Sequence, residues 1–166
     1  MSVLAVETTS PTRNPLDIVE EIVAANEWPF DRVSDDEMVV EISGRWCDYR
    51  LYFVWQEEIS ALQFSCQFDM KVQHPRRSAV NDLLAEVNAK LWIGHFDLWP
   101  EDGTIVFRHA MIFPEAHASA SQMECLLNLA LEACEHYYPA FQFVLWGGKT
   151  AQEAVAAAIL ECQGQA

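Results

Sequence analysis

The stretch "ALQFSCQFDMKV", residues 61–72, alternates apolar and polar side chains without a break. Its apolar positions are Leu62, Phe64, Cys66, Phe68, Met70 and Val72. A period of two with one polar face is typical of a strand in an antiparallel sheet that is packed on one side only. The stretch therefore predicts a sheet with one buried face and one face in contact with water.

Two further strands precede this one in the chain. They are "MVVEIS", residues 38–43, and "CDYRLYFVW", residues 47–55. In the second, one face would carry Cys47, Tyr49, Leu51, Phe53 and Trp55. Short connections, the first of them at residues 44–45, join successive strands. The three strands are therefore predicted to form an antiparallel meander.

Residues 94–113, "GHFDLWPEDGTIVFRHAMIF", predict a hairpin, because "PEDG" is turn chemistry between two apolar runs. We expect Trp99 to lie opposite Thr104. The buried face would then hold Phe96, Leu98, Ile105, Phe107 and His109. The outer face would hold His95, Asp97, Trp99, Val106 and Arg108.

This register separates the two histidines of the hairpin. A metal site shared by His95 and His109, or a relay through Asp97, is disfavoured because the side chains leave opposite faces. Asp97 and Arg108 would lie diagonally across the ladder as an opposite-charge pair. His109 is expected to be a core or rim histidine with a hydrogen-bond partner. A functional role for His109 and a different strand register are the alternatives.

One helix is predicted before the meander in the chain, and another is predicted between the meander and the hairpin. In "NPLDIVEEIVAANEW", residues 14–28, Asn14 can cap a helix that ends before Pro29. In "HPRRSAVNDLLAEVNAKLWIG", residues 74–94, apolar residues recur at helical spacing and Gly94 is expected to stop the helix.

The C-terminal third predicts two more helices. Residues 119–148 have helical spacing, with Ser121 and Glu124 as a capping box, a kink at Pro139 and an end at residues 147–148. A sixth strand at "FQFVLW", residues 141–146, is the alternative. Thr150 and Glu153 form a second capping box before the last helix.

The elements combine into one domain. We predict an α+β fold of order α-β-β-β-α-β-β-α-α, with a five-stranded antiparallel sheet made of the meander and the hairpin and packed by helices. This domain would span residues 14–163 and follow a flexible N-terminal segment, residues 1–13.

Charge and hydropathy exclude several classes of partner. The chain has 25 acidic and 10 basic residues, a net charge of −15. Nucleic acids and anionic membranes attract clustered Lys and Arg, so neither is expected as a partner. No apolar run is long enough to span a membrane, and no basic region precedes the short run "VLAV" as in a signal peptide. A cytoplasmic location is expected.

Motifs for catalysis and cofactor binding are missing from the sequence. It holds no GxGxxG, HExxH, GxSxG or EF-hand pattern, and "WGGKT", residues 146–150, lacks the first glycine of a phosphate-binding loop. The five cysteines have no paired ligand spacing, so reduced thiols are expected. We therefore predict no catalytic residue, no cofactor and no metal.

The sequence contains six tryptophans, more than one small core usually absorbs. Trp99 falls on the outer face of the predicted hairpin, together with Val106, and the same side continues to Ile112. An apolar patch left uncovered after the core is built favours self-association. A homodimer with Trp99, Val106 and Ile112 in its interface is expected.

Three stretches together resemble the YbjN family, bacterial proteins described as sensory transduction regulators. They are "SCQFDMKVQHPRRSAVNDLLAEVNAKLWIGHFDL" (65–98), "DGTIVFRHAMIF" (102–113) and "ALEACEHYYPAFQFVLWGGKTAQEAVA" (130–156). The order of elements also resembles type III secretion chaperone-like folds. The resemblance, which runs from about Asn14 to Glu161, implies a helix-packed antiparallel sheet, dimerisation, and a regulatory or chaperone-like role. It supplies no catalytic residues.

Two functions remain open from the sequence. The first is a non-enzymatic protein-interaction module that acts as a homodimer and binds an unknown protein partner. The second is an enzyme or small-ligand-binding protein with an unrecognised pocket, for which His95 with Asp97 would be the best candidates. A deep pocket with converging polar groups would favour the second, and a flat or grooved apolar surface the first.

Overall fold

The computed structural model describes residues 14–164, which form four α-helices, six strands and three short 3-10 turns. In chain order they are α1 (Pro15–Ala25), β1 (Phe30–Ser34), β2 (Glu37–Ser43), β3 (Asp48–Gln56), β4 (Ala61–Lys71), α2 (Arg77–Asn88), β5 (His95–Leu98), β6 (Thr104–Ile112), α3 (Ala120–Leu145) and α4 (Ala151–Gln163). The segment predicted to be flexible, residues 1–13, lies outside the described residues.

The strands form one antiparallel sheet in the order β1-β2-β3-β4-β6-β5. The α+β class and the antiparallel sheet are confirmed, but the sheet has six strands and the prediction of five was wrong. The missed strand is β1, which is short and directly follows Pro29. Its inner face presents Phe30 and Arg32, so it lacks the apolar alternation that identifies the other strands.

One face of the sheet packs against the helices and forms the core. The predicted inner faces of β3 and β4 are confirmed, since all of their apolar members are buried. Phe68 of β4 lies at the centre of an aromatic cluster. The rings of Tyr49, Phe96, Tyr138 and Phe141 lie with their centroids 5.1–5.8 Å from it. This cluster joins the meander, the hairpin and α3 into a single core.

Three helix predictions are confirmed. The Asn14 side chain accepts a hydrogen bond from the Leu16 N–H at 2.9 Å and caps α1. Thr150 and Glu153 form the capping box of α4. Helix α3 continues through Pro139 to Leu145, so residues 141–145 are helical and the alternative of a sixth strand there was wrong.

Two helix boundaries differ from prediction. The capping box of α3 consists of Ser119 and Gln122, so the helix begins two residues before the predicted pair of Ser121 and Glu124. Helix α2 ends at Asn88, because the chain must turn back to reach β5. Gly94 is therefore not a helix stop. It has φ = 69° at the entry to β5, where any side chain would collide with the Phe107 ring.

Candidate interaction surface

The side of the sheet that faces away from the helices is here called the open face. Its positions alternate with the buried ones along each strand, and most are exposed or half-buried. Its central rows carry Tyr52, Val54, Gln67, Arg108 and Ile112. A mixed surface of aromatic, aliphatic and paired charged groups of this kind is suited to contact with another protein.

The hairpin of β5 and β6 has the predicted register. His95 lies opposite Arg108 and Leu98 opposite Ile105, while the Trp99 N–H donates to the Thr104 carbonyl at 2.8 Å. His95 and Asp97 therefore project from the open face, and His109 projects from the opposite face. The structure does not bring the two histidines together on one face.

Asp97 is fully engaged by its neighbours. Its Oδ1 accepts from the Leu98 N–H at 3.0 Å, and its Oδ2 accepts from the Arg108 Nη1 at 3.1 Å. The Arg108 guanidinium also lies 5.6 Å from the centre of the Trp99 ring. The predicted Asp97–Arg108 pair is confirmed. It fixes the Trp99 side of the open face, and within residues 14–164 no hydrogen bond joins Asp97 to His95.

His109 lies half-buried at the rim of the core face. Partial burial, with a smaller contribution from the charge of His95, lowers the pKa of His109 below its ordinary value. No hydrogen bond joins its ring to another residue in the described part of the chain, so the hydrogen-bond partner expected for it is not found. The rim position itself is confirmed.

Two of the three predicted interface residues are accessible. Trp99 is 41% exposed and Ile112 is 73% exposed on the open face. Val106 is only 1% exposed, and the expectation that it offers contact surface was wrong. It lies on an inner strand between Gln67 and Asp97, whose longer side chains flank it on both sides.

The basic side chains of the open face each have an acidic partner. Arg50 pairs with Glu41 at 3.0 Å, Arg108 pairs with Asp97, and Lys71 lies 3.7 Å from Asp102 at the hairpin turn. The Thr104 N–H donates to Asp102 and lowers the pKa of that carboxyl, with Lys71 contributing less. Three acids of this face are thus paired, while Asp31, Glu37 and Asp48 on the same face form no ion pair within residues 14–164.

Two clefts flank β1. The Trp28 cleft, about 660 Å³, lies at the Pro29 end of the strand and is lined among others by Glu27, Trp28 and Glu41. The Asp36 cleft, about 410 Å³, lies at its other end and includes Asp17 and Asp36. Sequence reasoning missed both, because their walls come from segments far apart in the chain.

The two edges of the sheet differ in their hydrogen bonding. On β5 the Asn88 side chain accepts from the Phe96 N–H at 2.7 Å and donates to the Phe96 carbonyl at 2.9 Å. Asn88 therefore takes the place of a further strand and closes this edge. At the other edge β1 has no second neighbouring strand among residues 14–164. The local sequence does not predict this closure of the edge, because Asn88 belongs to α2 and bonds a residue of β5.

The helical side also exposes apolar side chains. Trp92, in the loop before β5, is 98% exposed, and Trp146 and Leu160 are 67% and 68% exposed at the far ends of α3 and α4. Leu129 of α3 lies beside Trp92 in a shallow groove. These residues are dispersed, and their side chains belong to different elements.

Residues 14–164 offer neither a metal-binding cluster nor a membrane-spanning helix. Within residues 14–164 no three His, Cys, Asp or Glu side chains come close enough to hold a metal ion. None of the helices described has the length and apolar character needed to cross a membrane.

Comparison with known proteins gives one family match and a fold similarity. The model of the family described as "YbjN: Putative bacterial sensory transduction regulator" matches residues 15–143. A chain in the crystal structure of the ExsC–ExsE complex is 12% identical, with a TM-score of 0.50 over 78% of this chain and 94% of that chain. The crystal structure of YbjN from E. coli is 10% identical, with a TM-score of 0.49 over 90% and 91%. No curated protein sequence gives a significant match.

Proposed function

The chain belongs to the YbjN family, and from this we propose that it is a non-enzymatic protein-interaction module. It has a regulatory or chaperone-like role in the bacterial cytoplasm, acts as a homodimer and binds a further protein. The fold similarity to a chain of the ExsC–ExsE complex favours a role in binding another protein. That similarity concerns the fold, and a fold alone does not determine function.

The observation that carries the proposal is the open face of the sheet. It exposes Trp99 and Ile112, and no described helix covers it. Exposed aromatic and aliphatic side chains on a sheet face that no helix covers are suited to contact with another protein. The candidate catalytic pair, His95 and Asp97, also favours a non-enzymatic role. Asp97 is hydrogen-bonded to Leu98 and Arg108 and does not orient His95.

A second copy of this chain is the partner that best suits the open face. Close approach of two chains of net charge −15 is opposed by repulsion. On the open face that repulsion is reduced, because Arg50, Lys71 and Arg108 each pair with a neighbouring acid. A two-fold axis through the hairpin would pair Trp99 and Ile112 with their own copies. A specific interface needs about 800 Å² from each partner.

Sedimentation velocity tests the homodimer. We expect a dimer for the wild type at tens of micromolar and a monomer for Ile112→Glu and Trp99→Glu, because both substitutions place a charge in an apolar interface. Leu160→Glu is the matched control. It changes an aliphatic residue of similar exposure on α4, away from the open face, and should remain a dimer.

Circular dichroism of each variant separates dissociation from unfolding. A wild type that sediments as a monomer contradicts the homodimer. Variants of Ile112 and Trp99 that remain as dimeric as the wild type would exclude the open face as the interface.

A further inference from the structure

We infer that the exposed edge of β1 binds an extended, basic segment of a partner protein as a seventh strand of the sheet. The inference rests on the protein-binding function proposed above and names both the place and the chemistry of the partner. Its basis is the difference between the two sheet edges together with the charge around β1.

The backbone of β1 presents hydrogen-bonding groups that no other residue among 14–164 occupies. The Glu41 N–H donates to the Pro29 carbonyl at 2.9 Å, which fixes the alternation of bonds along the pair of β1 and β2. In an antiparallel ladder the next bonded pair is Asp31 with Val39. The peptide groups of Phe30 and Arg32 therefore point away from the sheet. A row of such groups is a template for a further strand.

The far edge is unsuited to the same role. Asn88 occupies both outward peptide groups of Phe96, and the Asp97 carboxylate accepts from the outward N–H of Leu98. An incoming strand would have to displace these side-chain bonds. Strand addition is thus directed to β1.

Side chains leave the β1 edge accessible. Arg32 turns to the helical side, where its guanidinium donates to Glu20 at 2.9 Å and to Asp17 at 3.3 Å. Phe30 and Val33 stay exposed and can contact the side chains of an added strand. Because β1 has only five residues and a register shift after Arg32, backbone bonds alone give a weak complex. Side-chain recognition must supply the remaining affinity.

The charge around β1 determines the chemistry of the partner. Acidic side chains on or next to the strand are Glu27, Asp31, Asp35, Asp36 and Glu37. The one base on the strand, Arg32, is already paired with acids of α1. A second copy of this chain would bring the same acids to the edge and be repelled. A basic segment would be attracted.

The two clefts give the position of the basic residues. A five-residue strand spans roughly 17 Å, so a segment bound along β1 reaches both ends of it. Its terminal side chains then enter the Trp28 cleft beside Glu27 and the Asp36 cleft beside Asp35 and Asp36. Each cleft also holds an arginine, Arg50 and Arg32 respectively, and each arginine is already paired with an acid. The segment should therefore carry Lys or Arg at both ends of an apolar, β-prone core.

Fluorescence anisotropy with designed peptides tests this recognition. The probe is a labelled peptide with a Val-Thr-Val-Thr-Val core and two lysines at each end. We expect full-length wild-type protein to bind it at least tenfold more tightly than the same peptide with glutamates in place of the lysines. Two further peptides carry N-methyl groups on alternate core residues, one on each edge of the strand. One of them should lose binding, because one edge of the peptide must pair with β1.

Paired charge reversals locate the site on the protein. Glu27→Lys with Asp36→Lys changes one acid in each cleft and should weaken binding of the lysine peptide at least tenfold. Asp82→Lys with Glu132→Lys makes the same change in net charge on exposed positions of α2 and α3 that line neither cleft, and should leave most of the affinity.

Three outcomes overturn the inference. Equal binding of the lysine and glutamate peptides excludes a basic segment, and unchanged binding of both N-methylated peptides excludes strand addition. Tighter binding of a peptide copying residues 2–12 would make the chain's own N-terminal segment the occupant. Sedimentation of the charge-reversed variants distinguishes strand addition at β1 from the homodimer. These variants should still dimerise, because the homodimer on the open face does not depend on β1.

Discussion

Burial divides the five thiols into two groups. Cys47, Cys66 and Cys134 lie in the core, Cys125 is exposed on α3, and Cys162 is half-buried. Burial raises the pKa of Cys47 to about 12, and burial, followed by the neighbouring Cys66, raises the pKa of Cys134. Because the thiolate is the reactive form, Cys47 and Cys134 are protected from reagents both by burial and by their raised pKa, and Cys66 is protected by burial.

A thiol-specific disulfide reagent at pH about 8 should therefore react with the native protein at Cys125 first and Cys162 next. The three core thiols should react only after unfolding. Cys125→Ser removes the fast phase and serves as the control. Rapid reaction of three or more thiols in the native state would contradict the packing of β3, β4 and α3.

His109 should make stability depend on pH. Its pKa is lower in the folded protein than the ordinary value of 6.5, so the unfolded chain takes up the proton more readily. The free energy of unfolding should thus fall as the pH drops through about 6.5. Urea midpoints at several pH values should show a shallower dependence for His109→Gln. A slope for His109→Gln equal to that of the wild type would contradict this role of His109.

At the scale of elements, one side chain holds the end of the sheet. Asn88 bonds both peptide groups of Phe96, a residue that is almost fully buried. Asn88→Ala leaves a buried donor and acceptor unsatisfied, and each such group costs about 1–3 kcal/mol. We expect a loss of roughly 2 kcal/mol in urea unfolding. Asn81→Ala, on an exposed site of the same helix, should cost far less, and equal costs would refute this role of Asn88.

Elements with a regular period could be predicted from the sequence. The alternation in β3 and β4 and the turn between β5 and β6 determine faces and register, because both depend on neighbours in the chain. The position of Asp97 beside Arg108 follows from the same register. The predictions that failed concern elements whose bounds depend on tertiary contacts. β1 is held by β2 and by Arg32 binding α1, and the end of α2 is set by the link from Asn88 to β5.

The candidate site was only partly predictable for a similar reason. Periodicity placed Trp99, Val106 and Ile112 on one face, which is correct. It could not predict that Gln67 and Asp97 cover Val106, since that burial depends on side chains from two other strands. The free edge at β1 was not predictable at all once the strand itself was missed.

At the scale of the whole molecule, surface charge opposes the compact state. The chain carries 25 acids against 10 bases, and within residues 14–164 few of the acids have a basic partner. Raising potassium chloride from about 10 mM to about 300 mM shortens the screening length several-fold and weakens this repulsion. We expect the urea midpoint to rise with salt at neutral pH. A midpoint that falls would indicate that ion pairs outweigh the repulsion.

The unequal edges of the sheet also limit assembly. A protein with two unpaired edge strands can polymerise indefinitely, because each added subunit offers an unpaired edge strand to the next one. In this molecule Asn88 seals β5, so only β1 can recruit another strand. If salt screened the acidic side chains around β1 and two copies paired through this strand, the dimer would expose only its two β5 edges, which Asn88 closes. Assembly through strand pairing would then stop at the dimer, and the native protein could not propagate a fibre in this way.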